Sequence, residues 1–160
     1  MPNLYKIGII SDTHDNLPKI KKAVEVFNRE EVNFVLHAGD IVAPFSIEKL
    51  FELKCDWRAV FGNNDGEKEG LRRKSNNKIC KPPIKIELGN KKILLTHDLA
   101  KIKDLGEAEI IIFGHTHLAE SYEKGGKLFI NPGEAGGWLK GKSTICILYL
   151  PSKVIKFFEI

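Results

Sequence analysis

The apolar residues among the first sixty positions fall into short continuous runs separated by amphipathic stretches. Three of these runs predict buried parallel strands, at residues 5–10, 33–37 and 57–61. Asn16 and Pro18 form a helix-start signal after the first strand, and Pro44 opens a second helical pattern before the third strand. This alternation of strand and helix predicts an α/β fold with a parallel sheet in its first half.

The second half of the chain instead shows strands joined by tight turns. Two β-hairpins are predicted around the dipeptides Gly89-Asn90 and Gly125-Gly126. The other predicted elements are strands at residues 84–88, 91–96, 110–113, 120–123, 127–130, 143–150 and 154–160 and a short helical segment at 99–105. We therefore expect one domain spanning residues 1–160, in which two mixed β-sheets pack as a sandwich with helices on the outside.

Residues 66–83 are polar and show neither helical nor strand periodicity. Loops of this length are usually functional or disordered. Two interpretations are open, a solvated surface loop or a lid that presents positive charge to a substrate. The basic residues of the segment are Lys68, Arg72, Arg73, Lys74, Lys78 and Lys81.

Composition narrows the class of protein further. The formal net charge is +4, with acidic and basic residues interleaved, and this lacks the dense basic stripe of nucleic-acid-binding proteins. A nucleic-acid partner is therefore not expected. No run of about 18 apolar residues is present, so a membrane span is not expected either. Cys55, Cys80 and Cys146 are odd in number and far apart, which argues against a disulfide framework and a zinc ribbon. The first six residues lack a signal-peptide pattern, which predicts a cytoplasmic protein.

Candidate metal ligands follow the apolar runs where five predicted strands end. The five clusters are Asp12-Thr13-His14, Gly39-Asp40, Gly62-Asn63-Asn64-Asp65, Thr96-His97-Asp98 and Gly114-His115-Thr116-His117. Each cluster alone is compatible with an ordinary turn, but strand ends share one rim of an α/β sheet, so we expect all five to converge. Histidine and carboxylate are ligands that divalent ions prefer. In an extended segment, the alternate residues of Asp-x-His and His-x-His would face one centre.

The order of these clusters resembles the signature of the calcineurin-like metallophosphoesterase superfamily, which reads D-x-H, G-D, G-N-H-D/E, H and G-H-x-H. The likeness extends from Asp12 to Gly133, because Asn131-Pro132-Gly133-Glu134 is similar to an N-P-G segment in small single-domain phosphodiesterases of bacteria and archaea. The resemblance implies a metallophosphoesterase fold and a metal-dependent phosphodiesterase or phosphoesterase acting on a small phosphate ester. A homodimer is compatible with this branch of the superfamily.

Carried over position by position, the resemblance implies two divalent metal ions. The implied ligands are Asp12, His14 and His117 at one ion, Asn63, His97 and His115 at the other, and Asp40 between them. Manganese is the expected metal, with nickel, zinc, iron and cobalt as alternatives. Two such ions about 3.5–4 Å apart would clamp the phosphoryl group, and a bridging hydroxide would attack phosphorus in line. Asp40 and Asn64 are the residues expected to take part in catalysis.

The sequence departs from the superfamily signature at Asn64, where histidine is common. Asparagine donates a hydrogen bond but supplies no proton near neutral pH, so we expect low activity biased towards good leaving groups. The departure keeps an alternative open: a low-activity or inactive protein-interaction scaffold, as in a eukaryotic retromer subunit that resembles this superfamily. Asp98 is expected to cap a helix or to orient a ligand. His37 lies inside a strand and is expected to be a satisfied buried histidine or one that supports a ligand.

Overall fold

The computed structural model describes residues 3–160. Its helices are α1 (Leu17–Arg29), α2 (Ile47–Leu50) and α3 (Lys68–Lys74). Its strands are β1 (Tyr5–Ile10), β2 (Phe34–His37), β3 (Asp56–Val60), β4 (Ile79–Cys80), β5 (Ile84–Leu88), β6 (Lys91–Leu95), β7 (Ile110–Ile112), β8 (Ala119–Lys124), β9 (Lys127–Pro132), β10 (Thr144–Leu150) and β11 (Val154–Glu159). Within residues 3–160, no helix combines the length and the apolar character that a bilayer span requires.

The strands form two mixed sheets. The first sheet has the order β11-β10-β1-β2-β3-β4, and its strands β1 to β4 are parallel. The second sheet has the order β5-β6-β7-β9-β8, and β6, β7 and β9 are parallel. Both predicted hairpins are present, as the antiparallel pairs β5–β6 and β8–β9. The predicted α/β fold with two mixed sheets is therefore confirmed.

The two faces of β1 bury against different partners, because successive side chains of a strand point to opposite sides. Ile7 and Ile9 are fully buried in the cluster between the two sheets. Ile10 belongs instead to the cluster that includes Phe27 of α1. Gly8 lets this helix approach closely, since a Cβ at Gly8 would lie 2.7 Å from Phe27 Cδ1. Helices therefore cover the outer face of the first sheet and leave the strand ends free.

Two predicted helical segments are shorter than expected. The pattern that begins at Pro44 forms a 3-10 turn at Pro44–Ser46, followed by the single turn of α2. The segment 99–105 forms only a 3-10 turn at Leu99–Lys101, because the backbone of Ile102 is already extended. The outer face of the second sheet is thus covered by this segment rather than by an α-helix.

The prediction of an irregular loop at residues 66–83 is wrong for much of the segment. It contains α3, and β4 extends the edge of the first sheet. Leu71 is fully buried and fixes the helix to the core. Gly70 allows a close approach, because a Cβ there would lie 3.1 Å from Pro44 Cγ. One buried leucine in a seven-residue helix produces no periodic pattern, so hydrophobic spacing alone did not reveal the helix.

Candidate metal centre

Five chain segments meet at the carboxyl ends of β1, β2, β3, β6 and β7. Backbone hydrogen bonds join them, from Asp12 N to Gly39 O at 2.9 Å and from Gly114 N to His97 O at 3.0 Å. Across the two sheets, His115 N donates to Asp12 Oδ2 at 3.1 Å. The structure therefore brings the five sequence clusters to one rim.

Five of the seven candidate ligands on this rim lie on left-handed rather than extended backbone. The φ angle is 54° at Asp12, 41° at His14, 61° at Asp40, 70° at His115 and 63° at His117. The prediction of extended Asp-x-His and His-x-His segments is therefore wrong, because each strand ends in a tight turn. A left-handed φ costs a non-glycine residue roughly 1–2 kcal/mol, and such strain is concentrated at functional sites.

Asp12, His14 and His117 form the first ligand group, in which the ligand atoms lie within 4.8 Å of one another. Asp12 Oδ1 is 3.3 Å from His117 Nε2 and 3.8 Å from His14 Nε2. Asp12 Oδ1 and His14 Nε2 are buried, and neither has a hydrogen-bond partner within residues 3–160. An unsatisfied buried polar atom costs about 1–3 kcal/mol, so this arrangement fits a cation held between the three side chains.

Asp12 is fixed through its other oxygen. Asp12 Oδ2 accepts hydrogen bonds from Ser11 Oγ at 2.7 Å and from His115 N at 3.1 Å. Glycine is required at position 114, since a Cβ there would lie 2.1 Å from Ser11 Oγ. Burial raises the pKa of Asp12, but contacts with two histidines and Ser11 outweigh burial and hold the pKa well below its usual range. The carboxylate therefore stays ionised and presents Oδ1 to the ligand group.

His117 lies between two carboxylates. Its Nε2 faces Asp12, and its Nδ1 contacts Glu134 Oε2. Contact with Asp12 and then Glu134 raises the pKa of His117 to about 9, against the effect of burial. Glu134 is buried and accepts a further hydrogen bond from Leu139 N at 2.9 Å. Near neutral pH both ring nitrogens therefore carry a proton in the absence of metal. The Nδ1 proton is directed at Glu134, so Nε2 is the atom that would release its proton to a bound cation.

Asn63, His97 and His115 form the second ligand group. Asn63 Oδ1 lies 2.8 Å from His97 Nε2 and 3.1 Å from His115 Nδ1. His97 Nδ1 lies 2.8 Å from the carbonyl oxygen of Ala38. Because a carbonyl only accepts, the proton of a neutral His97 is on Nδ1, and Nε2 presents a lone pair. An amide oxygen and an imidazole lone pair therefore face each other, which a cation between them would stabilise.

Asp40 lies between the two ligand groups. Its Oδ2 is 3.4 Å from His14 Nε2 of the first group and 3.5 Å from His97 Nε2 of the second. Asn64 fixes this carboxylate twice, since its backbone N donates to Oδ1 and its Nδ2 donates to Oδ2, both at 2.9 Å. Asp40 can therefore reach a cation in either group, and the side chain of Asn64 contacts the carboxylate that would do so.

Asp65 has a structural role that its motif alone does not reveal. Its carboxylate is buried and accepts hydrogen bonds from Asp40 N at 3.0 Å, Val42 N at 2.6 Å and Gly62 N at 2.7 Å. These bonds join the turn after β2 to the turn after β3. Asp65 therefore positions the backbone of Asp40 without facing either ligand group.

The two sequence interpretations of Asp98 both have a counterpart in the structure. Asp98 caps the 3-10 turn, since Oδ1 accepts from Ala100 N at 3.0 Å. Its Oδ2 also lies 3.9 Å from His115 Nε2. The predicted cap is therefore confirmed, and the contact with His115 is too long for a hydrogen bond.

His37 lies behind the first ligand group and is buried. Its Nδ1 accepts from Gly39 N at 3.0 Å, so Nε2 carries the proton and donates to Thr13 Oγ1 at 3.1 Å. Burial lowers the pKa of His37 to about 4. The prediction of a buried histidine with satisfied hydrogen bonds is confirmed.

A comparison with known protein families identifies the superfamily that shares this sequence. The sequence model of the calcineurin-like phosphoesterase superfamily domain matches residues 5–153. The chain belongs to this superfamily. The resemblance inferred from the five clusters is therefore confirmed, and the superfamily implies divalent metal ions at a rim of this kind.

Individual relatives of this superfamily cover most of the chain. The phosphodiesterase MJ0936 of Methanocaldococcus jannaschii is 42% identical in an alignment of length 152 that covers 89% of this chain and 92% of the relative. A solved archaeal phosphodiesterase is 38% identical with a TM-score of 0.91, covering 97% and 99% of the two chains. Vacuolar protein sorting 29 of Cryptosporidium parvum, at 22% identity and a TM-score of 0.70 over 98% of each chain, shares the fold alone. The expectation of a hydrolase that acts on phosphate esters is confirmed by these relatives, two of which are phosphodiesterases.

Proposed function

We propose that this chain is a phosphodiesterase that hydrolyses a small phosphate ester with the help of two divalent metal ions. The observation that carries the proposal is the position of Asp40 Oδ2, at 3.4 and 3.5 Å from one imidazole nitrogen of each ligand group. The relatives named phosphodiesterase, at 42% and 38% identity, support the same reaction. The site would be built by one domain spanning residues 1–160.

The side chains present suit such ions. The proposed ligands are Asp12, His14 and His117 for one ion, Asn63, His97 and His115 for the other, and Asp40 for both. Imidazole, carboxylate and amide oxygen together suit manganese, and iron, cobalt, nickel and zinc are alternatives. When bound, such ions would polarise the phosphoryl oxygens and would lower the pKa of water, so that hydroxide would be available for in-line attack at neutral pH.

The chain itself would set the charge and geometry of the reaction. Asp12 and Asp40 neutralise only half of the charge of two divalent ions, so the centre attracts an anionic phosphate ester. Asn64 holds Asp40 in place through two hydrogen bonds and has no acidic proton for the leaving group. Glu134 orients His117. Turnover should therefore be highest for esters whose leaving groups depart without protonation.

The experiment that tests this proposal measures metal content and turnover of bis(p-nitrophenyl) phosphate on the same samples. We expect about two manganese ions per chain and hydrolysis that a chelator abolishes. Asp104→Asn is a suitable control, because Asp104 lies in a surface turn, where it accepts a hydrogen bond from Gly106 N at 2.8 Å and is not among the candidate ligands. Failure to take up metal, or a covalent phospho-enzyme trapped during turnover, would contradict the proposal.

The interaction scaffold remains the second candidate function, and the asparagine at position 64 is the feature that favours it. A scaffold of this fold would leave every phosphodiester and monoester intact, and it would not need to take up two ions. The metal and turnover measurements above therefore separate the two candidates. The intact set of seven candidate ligands favours the enzyme, because a binding surface does not require seven metal-binding side chains.

A further inference from the structure

A cavity of about 520 Å³ opens beside the second ligand group. Asn63, His97 and Asp98 line its end at the candidate metal centre. Its remaining walls include four basic side chains, those of Lys68, Arg72, Lys81 and Lys101. The volume lies within the range of small-molecule sites, roughly 300–1,000 Å³. The cavity is therefore large enough for one arm of a phosphodiester whose phosphorus lies at the ligand groups.

The charge of this cavity is strongly one-sided. Four cationic side chains face a single carboxylate, that of Asp98, which already caps the 3-10 turn. Arg72 makes an exposed ion pair with Glu69 at 3.3 Å, and a pair of this kind contributes little free energy. Such an excess of positive charge serves no packing purpose, whereas it would stabilise an anionic ligand.

Two of the cations are held in position on one wall. Lys68 and Arg72 are four residues apart on α3, so they lie on the same face of the helix. Lys68 Nζ is 6.0 Å and Arg72 Cζ is 5.7 Å from the ring centroid of the buried Phe61. A cation–π contact at an exposed site contributes about 0.5–1 kcal/mol. The aromatic ring therefore restrains both cations where they can meet a ligand in the cavity.

We propose that the substrate is a phosphodiester that carries a second phosphate group on one arm, and that this cavity binds the second phosphate. The inference rests on the proposed function, because it places the scissile phosphate at the ligand groups. Lys68, Arg72 and Lys101 would surround the second phosphate. Its several acceptor oxygens match the forked donors of a guanidinium and the point charges of lysines. An uncharged alkyl or aryl arm would leave these cations without a partner.

A binding experiment tests the assignment without requiring hydrolysis. The probes are thymidine 3′,5′-bisphosphate and thymidine 5′-monophosphate, with affinities measured by calorimetry in the presence of manganese and again with chelator. The unaltered protein should bind the bisphosphate about tenfold more tightly. The double variant Lys68→Gln/Lys101→Gln should reduce this ratio to below about threefold. Lys124→Gln, which alters an exposed lysine at the end of β8, should leave the ratio unchanged.

A kinetic experiment then tests the substrate itself. The two substrates are p-nitrophenyl thymidine 5′-phosphate with and without a 3′-phosphate. We expect the kcat/KM ratio to favour the 3′-phosphorylated ester by about tenfold and to fall in the double variant. Because the ratio is taken within one variant, any general loss of activity cancels.

The outcomes distinguish this inference from the proposed function. Equal kcat/KM values for the two esters, or a preference that the double variant retains in full, would overturn the inference while hydrolysis itself stands. Tighter binding of the bisphosphate with no hydrolysis of either ester would instead contradict the proposed function and leave the cavity as a phosphate-binding site.

Discussion

The two ligand groups differ in how firmly the fold holds them. In the first group, the side chains of Asp12 and His117 are 0% and 9% exposed, and Ser11 and Glu134 bind them from behind. In the second group, His97 is also buried, but Asn63 is exposed and the side chain of His115 is 42% exposed. Burial and hydrogen bonding fix a ligand's geometry before metal binds. The first group is therefore the more firmly fixed of the two, while two of the three side chains in the second group are open to solvent.

This difference predicts unequal metal affinities. The first group should bind its ion more tightly, and the second should exchange its ion more readily. Titration of metal-free protein with manganese should therefore show two separate binding steps. Substitutions in and beside each group test whether this difference is real.

The largest effect is expected at Asp40, whose carboxylate lies between the two groups. Asp40→Asn should lower kcat by roughly 10³-fold, because this carboxylate would hold both proposed ions and bound metal ions supply several kcal/mol of transition-state stabilisation. Metal content should fall together with kcat, measured on bis(p-nitrophenyl) phosphate. Asp104→Asn provides the matched control. An Asp40→Asn protein that keeps two ions and full turnover would show that Asp40 is not shared.

The next effect is expected at Asn64, on the open side of the centre. Asn64→His should raise turnover of esters with poor leaving groups by up to about 10²-fold, because histidine can act as a general acid. Esters with good leaving groups should gain less. The measurement is the slope of log kcat against leaving-group pKa. No change, or a loss on every ester, would contradict the role given to position 64.

A smaller effect should separate the two groups directly. Glu134→Gln removes the negative charge that contacts His117 Nδ1. Because loss of such a supporting contact typically costs 10–100-fold in metal affinity, we expect roughly tenfold weaker manganese binding at the tighter step. Asp98→Asn, whose Oδ2 is 3.9 Å from His115 Nε2, should weaken the other step by less than about threefold. Manganese titrations of both variants measure the affinity of each binding step. Equal effects on both binding steps would remove the distinction between the groups.

The remaining effect is on folding stability rather than on turnover or metal affinity, and it concerns the buried His37 behind the first group. Burial lowers the pKa of His37 to about 4, whereas a histidine in an unfolded chain has a pKa of about 6.5. As the pH falls from 6.5 to 4, the unfolded chain binds the proton and the folded chain does not. The free energy of unfolding therefore decreases over this range by about 1.4 kcal/mol per pH unit, roughly 3 kcal/mol in all.

The measurement is the free energy of unfolding in denaturant, with chelator present, at several values of pH between 4 and 7.5. His37→Gln can keep the contacts with Gly39 and Thr13, because an amide both accepts and donates. Its stability should therefore depend less steeply on pH than that of the unaltered protein. Parallel curves for the two proteins would show that His37 is not the group that titrates.

The positions of the candidate ligands were predictable because polar, metal-binding residues directly follow apolar runs that form buried strands. An apolar run such as residues 5–10 has to be a buried strand, so Asp12 and His14 had to lie at its carboxyl end. The same reasoning located His97 after β6 and His115 after β7. The convergence of the clusters followed from topology alone, before any contact was known.

Other features depend on contacts that no local pattern encodes. The left-handed backbone of Asp12 and His115 arises from hydrogen bonds between distant turns, which spacing does not specify. Helix α3 is fixed by one buried leucine and by its approach to Pro44, so its sequence shows no periodic spacing of apolar residues that would predict a helix. Glu134 reaches His117 only because β9 lies next to β7. The sequence signal for Glu134 was its place in the segment Asn131-Pro132-Gly133-Glu134, directly after the apolar run of β9.

The position of manganese in crystals of the metal-loaded protein, located by anomalous scattering, tests whether two ions bind at this rim. We expect two peaks on either side of the Asp40 carboxylate, one near Asp12 and His117 and one near Asn63 and His115, with the second peak lost first on dilution of the metal. A single peak away from Asp40, or no manganese at the rim, would contradict this expectation.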